Sequence, residues 1–163
     1  MNSEDLRLAV YQAFAREGSV PDAAGLAARL DVKPDEVKRG LRELAATRHV
    51  VLDGTGRIVM AHPFAAIPLG FAVMGHATLW WGGCAWDSFA LPHLLPEESP
   101  ALVATRCPGC SAPLAWNVGI DAPPEGQQVA HFLVPAAHIW DDVVHTCGHQ
   151  RLFCSPACVD TWL

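Results

Sequence analysis

Residues 79–91 read Leu79-Trp80-Trp81-Gly82-Gly83-Cys84-Ala85-Trp86-Asp87-Ser88-Phe89-Ala90-Leu91, an apolar stretch that carries one thiol and one carboxylate. The two glycines predict a bend, and the residues after them predict a short buried helix that ends before Pro92. Residues three apart lie on one face of a helix, so we expect Cys84 and Asp87 to point the same way. A buried cysteine is common in a core, whereas a buried carboxylate is costly unless it is paired or functional. An acid in this setting suits a group that both accepts and donates a proton.

Length and composition favour a cytoplasmic protein with a substantial core. The chain has 163 residues, of which 51% are hydrophobic, enough for one ordinary domain or two small ones. No apolar run is long enough to predict a membrane span. The first residues, Met1-Asn2-Ser3-Glu4-Asp5, are polar and acidic, unlike a signal peptide. In the cytosol, cysteines stay reduced and serve more often as metal ligands or nucleophiles than as disulfides.

Charge and proline divide the chain into two parts. Residues 1–60 carry nine Lys/Arg and nine Asp/Glu, whereas residues 61–163 carry two Lys/Arg and eight Asp/Glu. Eleven of the thirteen prolines follow residue 60. We therefore predict an α+β protein with two domains, a helical, charge-balanced one over residues 1–62 and a small, proline-rich one that carries all six cysteines over residues 63–163.

The first part carries the pattern of three helices and a hairpin. Ser3 is a candidate capping residue for the first helix, which Gly18 ends, and Pro21 and Pro34 open the next two helices. A glycine-containing turn at residues 53–56 then separates two short β-strands. This order is typical of a winged helix-turn-helix.

DNA binding is the functional interpretation of such a domain, but we do not expect it here. The third helix and the residues just after it offer four bases, yet the domain is charge-neutral and the same helix carries acids. A DNA-binding domain normally carries clearly more basic than acidic residues. The bases are Lys38, Arg39, Arg42 and Arg48.

Four of the six cysteines form a zinc-like pattern. Cys107-Pro108-Gly109-Cys110 is a CxxC knuckle, and Cys154 and Cys158 form a CxxxC pair whose second member should lie in the first turn of a final helix, residues 157–163. A knuckle followed by a pair at a helix start is typical of a treble-clef site for structural zinc. The alternative is four reduced thiols, two of them core residues.

Cys84 and Cys147 are left over from that pattern. Cys147 lies in His145-Thr146-Cys147-Gly148-His149, where the histidines are candidate metal ligands or plain solvent-facing residues. Two separated thiols and one acid, Asp87, are the minimum set of groups that can bind a soft metal and transfer a proton at the same site.

These residues resemble the organomercurial (alkylmercury) lyase family. Cys84-Ala85-Trp86-Asp87 is similar to the family's Cys-x-x-Asp, and residues 147–153 are similar to its second catalytic segment. Cys107-Pro108-Gly109-Cys110-Ser111-Ala112-Pro113 resembles its Cys-x-x-x-x-Ala-Pro segment. Cys110, Cys154 and Cys158 are additional to the family pattern, and we expect a zinc staple to substitute for the family's further C-terminal elements.

The resemblance implies protonolysis of a carbon–mercury bond that gives a hydrocarbon and Hg(II). One of the two thiolates, Cys84 or Cys147, captures the organomercurial; the other thiol passes its proton to Asp87 as it binds mercury, and Asp87 protonates the leaving carbon. The tryptophans at 80, 81 and 86 form an apolar wall for the organic group, with Trp81 and Trp86 as the substrate-binding residues. No cofactor is implied, and low-molecular-weight thiols remove the mercury.

Three other functions remain open at this point. The chain could be a metal-responsive winged-helix regulator, or a soft-metal (Cu, Hg or Zn) binding protein without catalysis. It could also be an enzyme of the same framework that cleaves a bond from carbon to another soft element. Asp87 favours an enzyme over a soft-metal binding protein, since a protein that only binds the metal needs no acid. The oligomeric state and the preferred organic substituent are not encoded in any motif.

Overall fold

The structure, a computed structural model, describes residues 2–121 and 125–163, which fold as a mixed α/β protein with antiparallel sheets. Three helices come first: α1 (Ser3–Glu17), α2 (Ala23–Leu30) and α3 (Pro34–Ala46). The large sheet is built from seven strands, β1 (Val51–Leu52), β2 (Ile58–Ala61), β3 (Phe64–Ala65), β4 (Phe71–Met74), β5 (Leu79–Gly82), β6 (Ala101–Arg106) and β7 (Pro113–Val118). The remaining elements are α4 (Ala85–Leu94), β8 (Val129–Phe132), α5 (Val143–Gly148), β9 (Gln150–Phe153) and α6 (Pro156–Trp162).

The first three helices begin and end as their capping residues predict, with two corrections. Pro21 does not open α2, because the carboxylate of Asp22 accepts the amide hydrogen of Gly25 at 2.9 Å and caps a helix that begins at Ala23. The side chain of Asn2, not Ser3, accepts the amide hydrogen of Glu4 and caps α1. Ser3 is the first helical residue, because the longer Asn side chain one position earlier already satisfies the free amide. Gly18 ends the helix at a φ of 70°, a left-handed conformation that suits glycine.

The large sheet has the order β1-β2-β3-β5-β4-β6-β7, and each pair of neighbours is antiparallel. The β1–β2 hairpin follows the helices directly and is continuous with the other strands through β2 and β3. A smaller sheet of β8 and β9 pairs Phe132 with Gln150 and Val129 with Phe153. The cysteines lie in helices and turns that adjoin strands of these two sheets.

Helix α4 is longer than the sequence predicts. The prediction that it ends before Pro92 is wrong, because the helix continues to Leu94. A proline in the last turn removes only one amide donor, and Leu91 and Pro92 are both buried. The amide of Leu95 still bonds to the carbonyl of Leu91, at 2.9 Å, and closes the helix.

The main core lies between the N-terminal helices and the large sheet. Trp80 is 1% exposed, and its indole nitrogen donates to the carbonyl of Phe14, 2.8 Å away on α1. Phe14 also stacks on Phe64 of β3, with ring centroids 5.3 Å apart. The helices of the described part of the chain include none that is both long and apolar enough to cross a membrane.

Candidate active site

Cys84 and Asp87 lie together at the start of α4. Cys84 is the N-cap residue, and its sulfur accepts the amide hydrogen of Asp87 at 3.3 Å. Both residues are buried, at 3% and 8% exposure. The preceding bend needs glycine, since a Cβ at Gly82 would overlap the hydroxyl of Ser88 and one at Gly83 would overlap the Asp87 carboxylate. The bend therefore brings the chain back against the acid.

Cys147 reaches the same place from a later segment of the chain, between β8 and β9. It lies near the end of α5, whose N-cap residue Asp142 accepts the amide hydrogen of His145 with its carboxylate at 2.9 Å. Cys147 is 3% exposed and packs with Cys84 in a small apolar cluster that also contains Met60, Ala65 and Val143. This cluster is separate from the main core. Two thiols that are far apart in the sequence thus meet in one buried apolar cluster.

The two thiols differ in acidity because they share a hydrogen bond. Cys84 donates to Cys147, which raises the pKa of Cys84 far above its usual value, and burial and the Asp87 charge add to that rise. The same hydrogen bond lowers the pKa of Cys147; burial and Asp87 oppose this, while His62 supports it. Cys147 is therefore the more acidic thiol of the pair.

His62 completes the site, and the sequence did not indicate it. Its Nδ1 lies 3.1 Å from Oδ2 of Asp87, and the ligand atoms of His62, Asp87 and Cys147 all lie within 4.8 Å of one another. Burial opposes protonation of His62, but the hydrogen bond and charge of Asp87 raise its pKa overall. Its Nε2 is buried and has no hydrogen-bond partner among the described residues. Trp140 approaches the His62 ring edge-on, with centroids 5.7 Å apart.

The tryptophans divide between the core and the surface. Trp80 points away into the main core, as its bond to α1 requires. Trp81, its neighbour on β5, faces the opposite side and is 39% exposed, and Trp86 is 74% exposed. Period-two alternation in a strand explains why adjacent tryptophans separate.

The histidines beside Cys147 contact each other. Nδ1 of His149 lies 2.7 Å from the carbonyl of His145, and their rings are 4.1 Å apart. The potential metal ligands that lie close to Cys147 are His62 and Asp87, rather than His145 or His149.

The other four cysteines form a second cluster, here called the cysteine quartet: Cys107, Cys110, Cys154 and Cys158. The sulfurs of Cys107, Cys110 and Cys158 lie within 4.8 Å of one another, and the sulfur of Cys154 is 3.7 Å from that of Cys110. Burial opposes ionisation of Cys107, yet backbone amide hydrogens lower its pKa to about 6.

Comparison with known proteins agrees with the resemblance seen in the sequence. None of the curated proteins matches the chain. The solved structure described as the mercury-bound form of MerB2 superimposes with a TM-score of 0.68 at 17% identity, covering 98% of this chain and 78% of that one. The sequence model of the MerB family, alkylmercury lyase, matches residues 64–163, which is more than half of the chain. The chain therefore belongs to the alkylmercury lyase family, whose members act on carbon–mercury bonds.

Proposed function

We propose that the chain cleaves the carbon–mercury bond of small organomercurials by protonolysis, with Cys84, Cys147 and Asp87 as the catalytic residues. The single observation that carries this proposal is the convergence of two buried thiols in one apolar cluster with a buried carboxylate beside them. The mercury-bound relative of the same fold supports a mercury compound as the substrate. A thiolate binds a soft ion such as mercury in preference to oxygen ligands.

Cys147 captures the substrate first. It is the more acidic thiol of the pair, because Cys84 donates a hydrogen bond to it. Its thiolate displaces the anion X⁻ from R–Hg–X and forms an S–Hg bond. The thiolate is the nucleophilic form of cysteine, so the order of attack follows from the order of the two pKa values.

Cys84 binds second and supplies the proton. As its sulfur approaches mercury, its proton moves to the Asp87 carboxylate. Two sulfur ligands then donate electron density to mercury and weaken the Hg–C bond. When that bond breaks, its electron pair leaves with carbon and takes the proton from Asp87, which releases R–H and restores the carboxylate.

Hg²⁺ then remains bound to Cys84 and Cys147. Low-molecular-weight thiols of the cytoplasm exchange with the two sulfurs and remove the ion, so catalysis needs no bound cofactor. His62 holds the Asp87 carboxylate through its Nδ1, at 3.1 Å. The exposed Trp81 and Trp86 lie on the elements on either side of Cys84 and are proposed to contact the organic group.

The proposal is tested by turnover of a defined substrate. Reduced protein is incubated with a phenylmercury salt and excess thiol, and benzene is measured. We expect repeated turnover by the natural sequence and none by Cys84→Ser or Cys147→Ser. Binding of mercury without any benzene would favour a soft-metal carrier instead, for which Asp87 has no role.

The remaining domain assignments are also proposals. We propose that residues 1–62 form a winged helix-turn-helix-like packing module and that residues 63–163 form a treble-clef-related catalytic domain. The ion pairs on α3 support a packing role, since Lys38 pairs with Asp35 at 3.3 Å and Arg39 with Glu43 at 3.9 Å. Salt-sensitive binding of duplex DNA in a mobility-shift assay would instead support a regulator.

A further inference from the structure

The cysteine quartet lies where the two sheets meet. Cys107 and Cys110 lie in the turn between β6 and β7 of the large sheet. Cys154 and Cys158 follow β9 of the small sheet and open α6. No backbone ladder joins the sheets within the described residues, because β8 and β9 pair only with each other. The quartet therefore spans a junction that strand pairing leaves open.

The sulfur positions fit a tetrahedral thiolate site. A zinc ion bound by four sulfurs at about 2.3 Å requires neighbouring sulfurs about 3.8 Å apart. The sulfurs of Cys110 and Cys154 lie 3.7 Å apart, and three of the quartet lie within 4.8 Å of one another. Four sulfur ligands in this arrangement select zinc or iron among common metals, and disfavour magnesium or calcium.

The local backbone is built around the sulfur of Cys107. The amide of Ser111 donates to the carbonyl of Cys107 at 2.8 Å, and Ser111 has a φ of 62°. The amide of Cys154 donates to the Cys107 sulfur at 3.5 Å. A Cβ at Gly109 would overlap the backbone carbonyl of Cys158. The turn and the start of α6 thus approach as closely as their backbones allow.

Packing alone does not explain all four thiols. Cys107 is buried with Phe153 and Val159 in a small apolar cluster. Cys110 and Cys154 are exposed, so neither contributes much to a core. Free exposed thiols are open to oxidation, whereas a metal site gives exposed cysteines a structural role as ligands.

We propose that the cysteine quartet binds one structural Zn²⁺ ion, which joins the small sheet to the large one and thereby holds the segment that carries Cys147. Binding releases the thiol protons and forms four Zn–S bonds, with no change of oxidation state. The second half of this proposal rests on the proposed function of Cys147, whereas zinc binding itself does not.

The connection to Cys147 is short. Helix α5 carries Cys147, β9 follows it directly, and Cys154 comes immediately after β9. Arg151 of β9 also makes polar contacts with the large sheet, since its Nη2 lies 3.4 Å from the carbonyl of Arg106 and 3.4 Å from the hydroxyl of Thr105. Zinc would therefore fix the end of the segment on which the second catalytic thiol lies.

The metal assignment is tested on the whole chain purified without chelators. We expect one zinc per chain by elemental analysis, and X-ray absorption with four sulfur neighbours at about 2.3 Å. Cys110→Ser/Cys154→Ser should lose the zinc, and the matched control Cys84→Ser/Cys147→Ser should retain it. X-ray absorption on the natural sequence keeps the assignment testable if the first variant does not fold.

Several results would overturn the assignment. These are a chain without metal and with four reduced quartet thiols, a disulfide between Cys110 and Cys154, iron in place of zinc, or loss of zinc in the control variant. The structural consequence is tested by amide hydrogen exchange before and after zinc removal. We expect faster exchange in residues 143–153 and no change in α1. If exchange in residues 143–153 is unchanged after zinc removal, zinc does not hold the segment that carries Cys147. This conclusion depends neither on whether the protein binds zinc nor on whether it turns over substrate.

Discussion

Replacing Asp87 with asparagine separates mercury binding from carbon–mercury cleavage. Asparagine has nearly the same shape, and its carbonyl oxygen can still accept a hydrogen bond from His62 Nδ1, which now lies 3.1 Å from the carboxylate. Exchange of a charged for a neutral hydrogen-bond partner costs about 1 kcal/mol of folding free energy. Most of the total stability of a domain, about 5–15 kcal/mol, should therefore remain.

The effect on turnover should be much larger. A positioned general acid contributes about 10²–10⁴ in rate, which corresponds to about 3–5 kcal/mol of activation free energy. We therefore expect benzene release from phenylmercury to fall by at least about 100-fold, a loss that about 1 kcal/mol of stability cannot produce. Stoichiometric mercury binding, measured on the same samples, should not change.

The matched control removes a carboxylate from the surface. Asp141 is 75% exposed by its side chain and pairs with His138 at 2.9 Å, so Asp141→Asn has the same chemistry outside the pocket. It should leave turnover unchanged. Full turnover by Asp87→Asn would refute the role of Asp87 as proton donor, and equal losses in both variants would point to a general charge effect.

Three further predictions follow from the same geometry. Capture of methylmercury should accelerate as the pH rises, with a midpoint below that of an ordinary cysteine, because Cys84 lowers the pKa of Cys147 and capture needs the thiolate. In Cys84→Ala the midpoint, measured by stopped-flow, should move to higher pH, and an unmoved midpoint would remove Cys84 as the cause. His62→Gln should slow cleavage more than it weakens mercury binding, since it changes the partner of Asp87 and leaves both thiols; equal effects on both would contradict a positioning role. Trp80→Phe should lower the free energy of unfolding, measured in urea, by about 1–3 kcal/mol with little change in substrate KM. A raised KM at unchanged stability would instead indicate that Trp80 contacts the substrate.

The N-terminal helices and the site around Cys84 could be predicted because their signals are local. Gly18 and Pro34 end and begin helices through their own backbone preferences. The spacing of Cys84 and Asp87 fixes their relation within one helical turn, whatever the rest of the chain does. The family membership was predictable for the same reason, since its motifs are short and ordered along the chain.

The parts that were missed depend on long-range packing. His62 reaches Asp87 because β2 ends beside the start of α4, and no spacing rule links residues so far apart. The strand that separates Trp80 from Trp81 could not be distinguished from a continuous apolar wall without its register, which comes from pairing with β3 and β4. Pro92 was interpreted as a helix end, whereas burial of the last turn keeps the helix intact beyond it.

The unequal acidity of the two thiols suggests how one capture event prepares the next. Before substrate binds, Cys84 is held protonated by its hydrogen bond to Cys147, by burial and by the negative charge of Asp87. In the proposed mechanism, capture of R–Hg⁺ at Cys147 neutralises the thiolate and so weakens its sulfur as an acceptor of this hydrogen bond. The amide of Asp87, at 3.3 Å from the Cys84 sulfur, remains in place as a donor that favours the thiolate. We therefore expect the pKa of Cys84 to fall after capture, so that the second thiol releases its proton only when mercury is present, next to the carboxylate that is proposed to carry the proton to carbon.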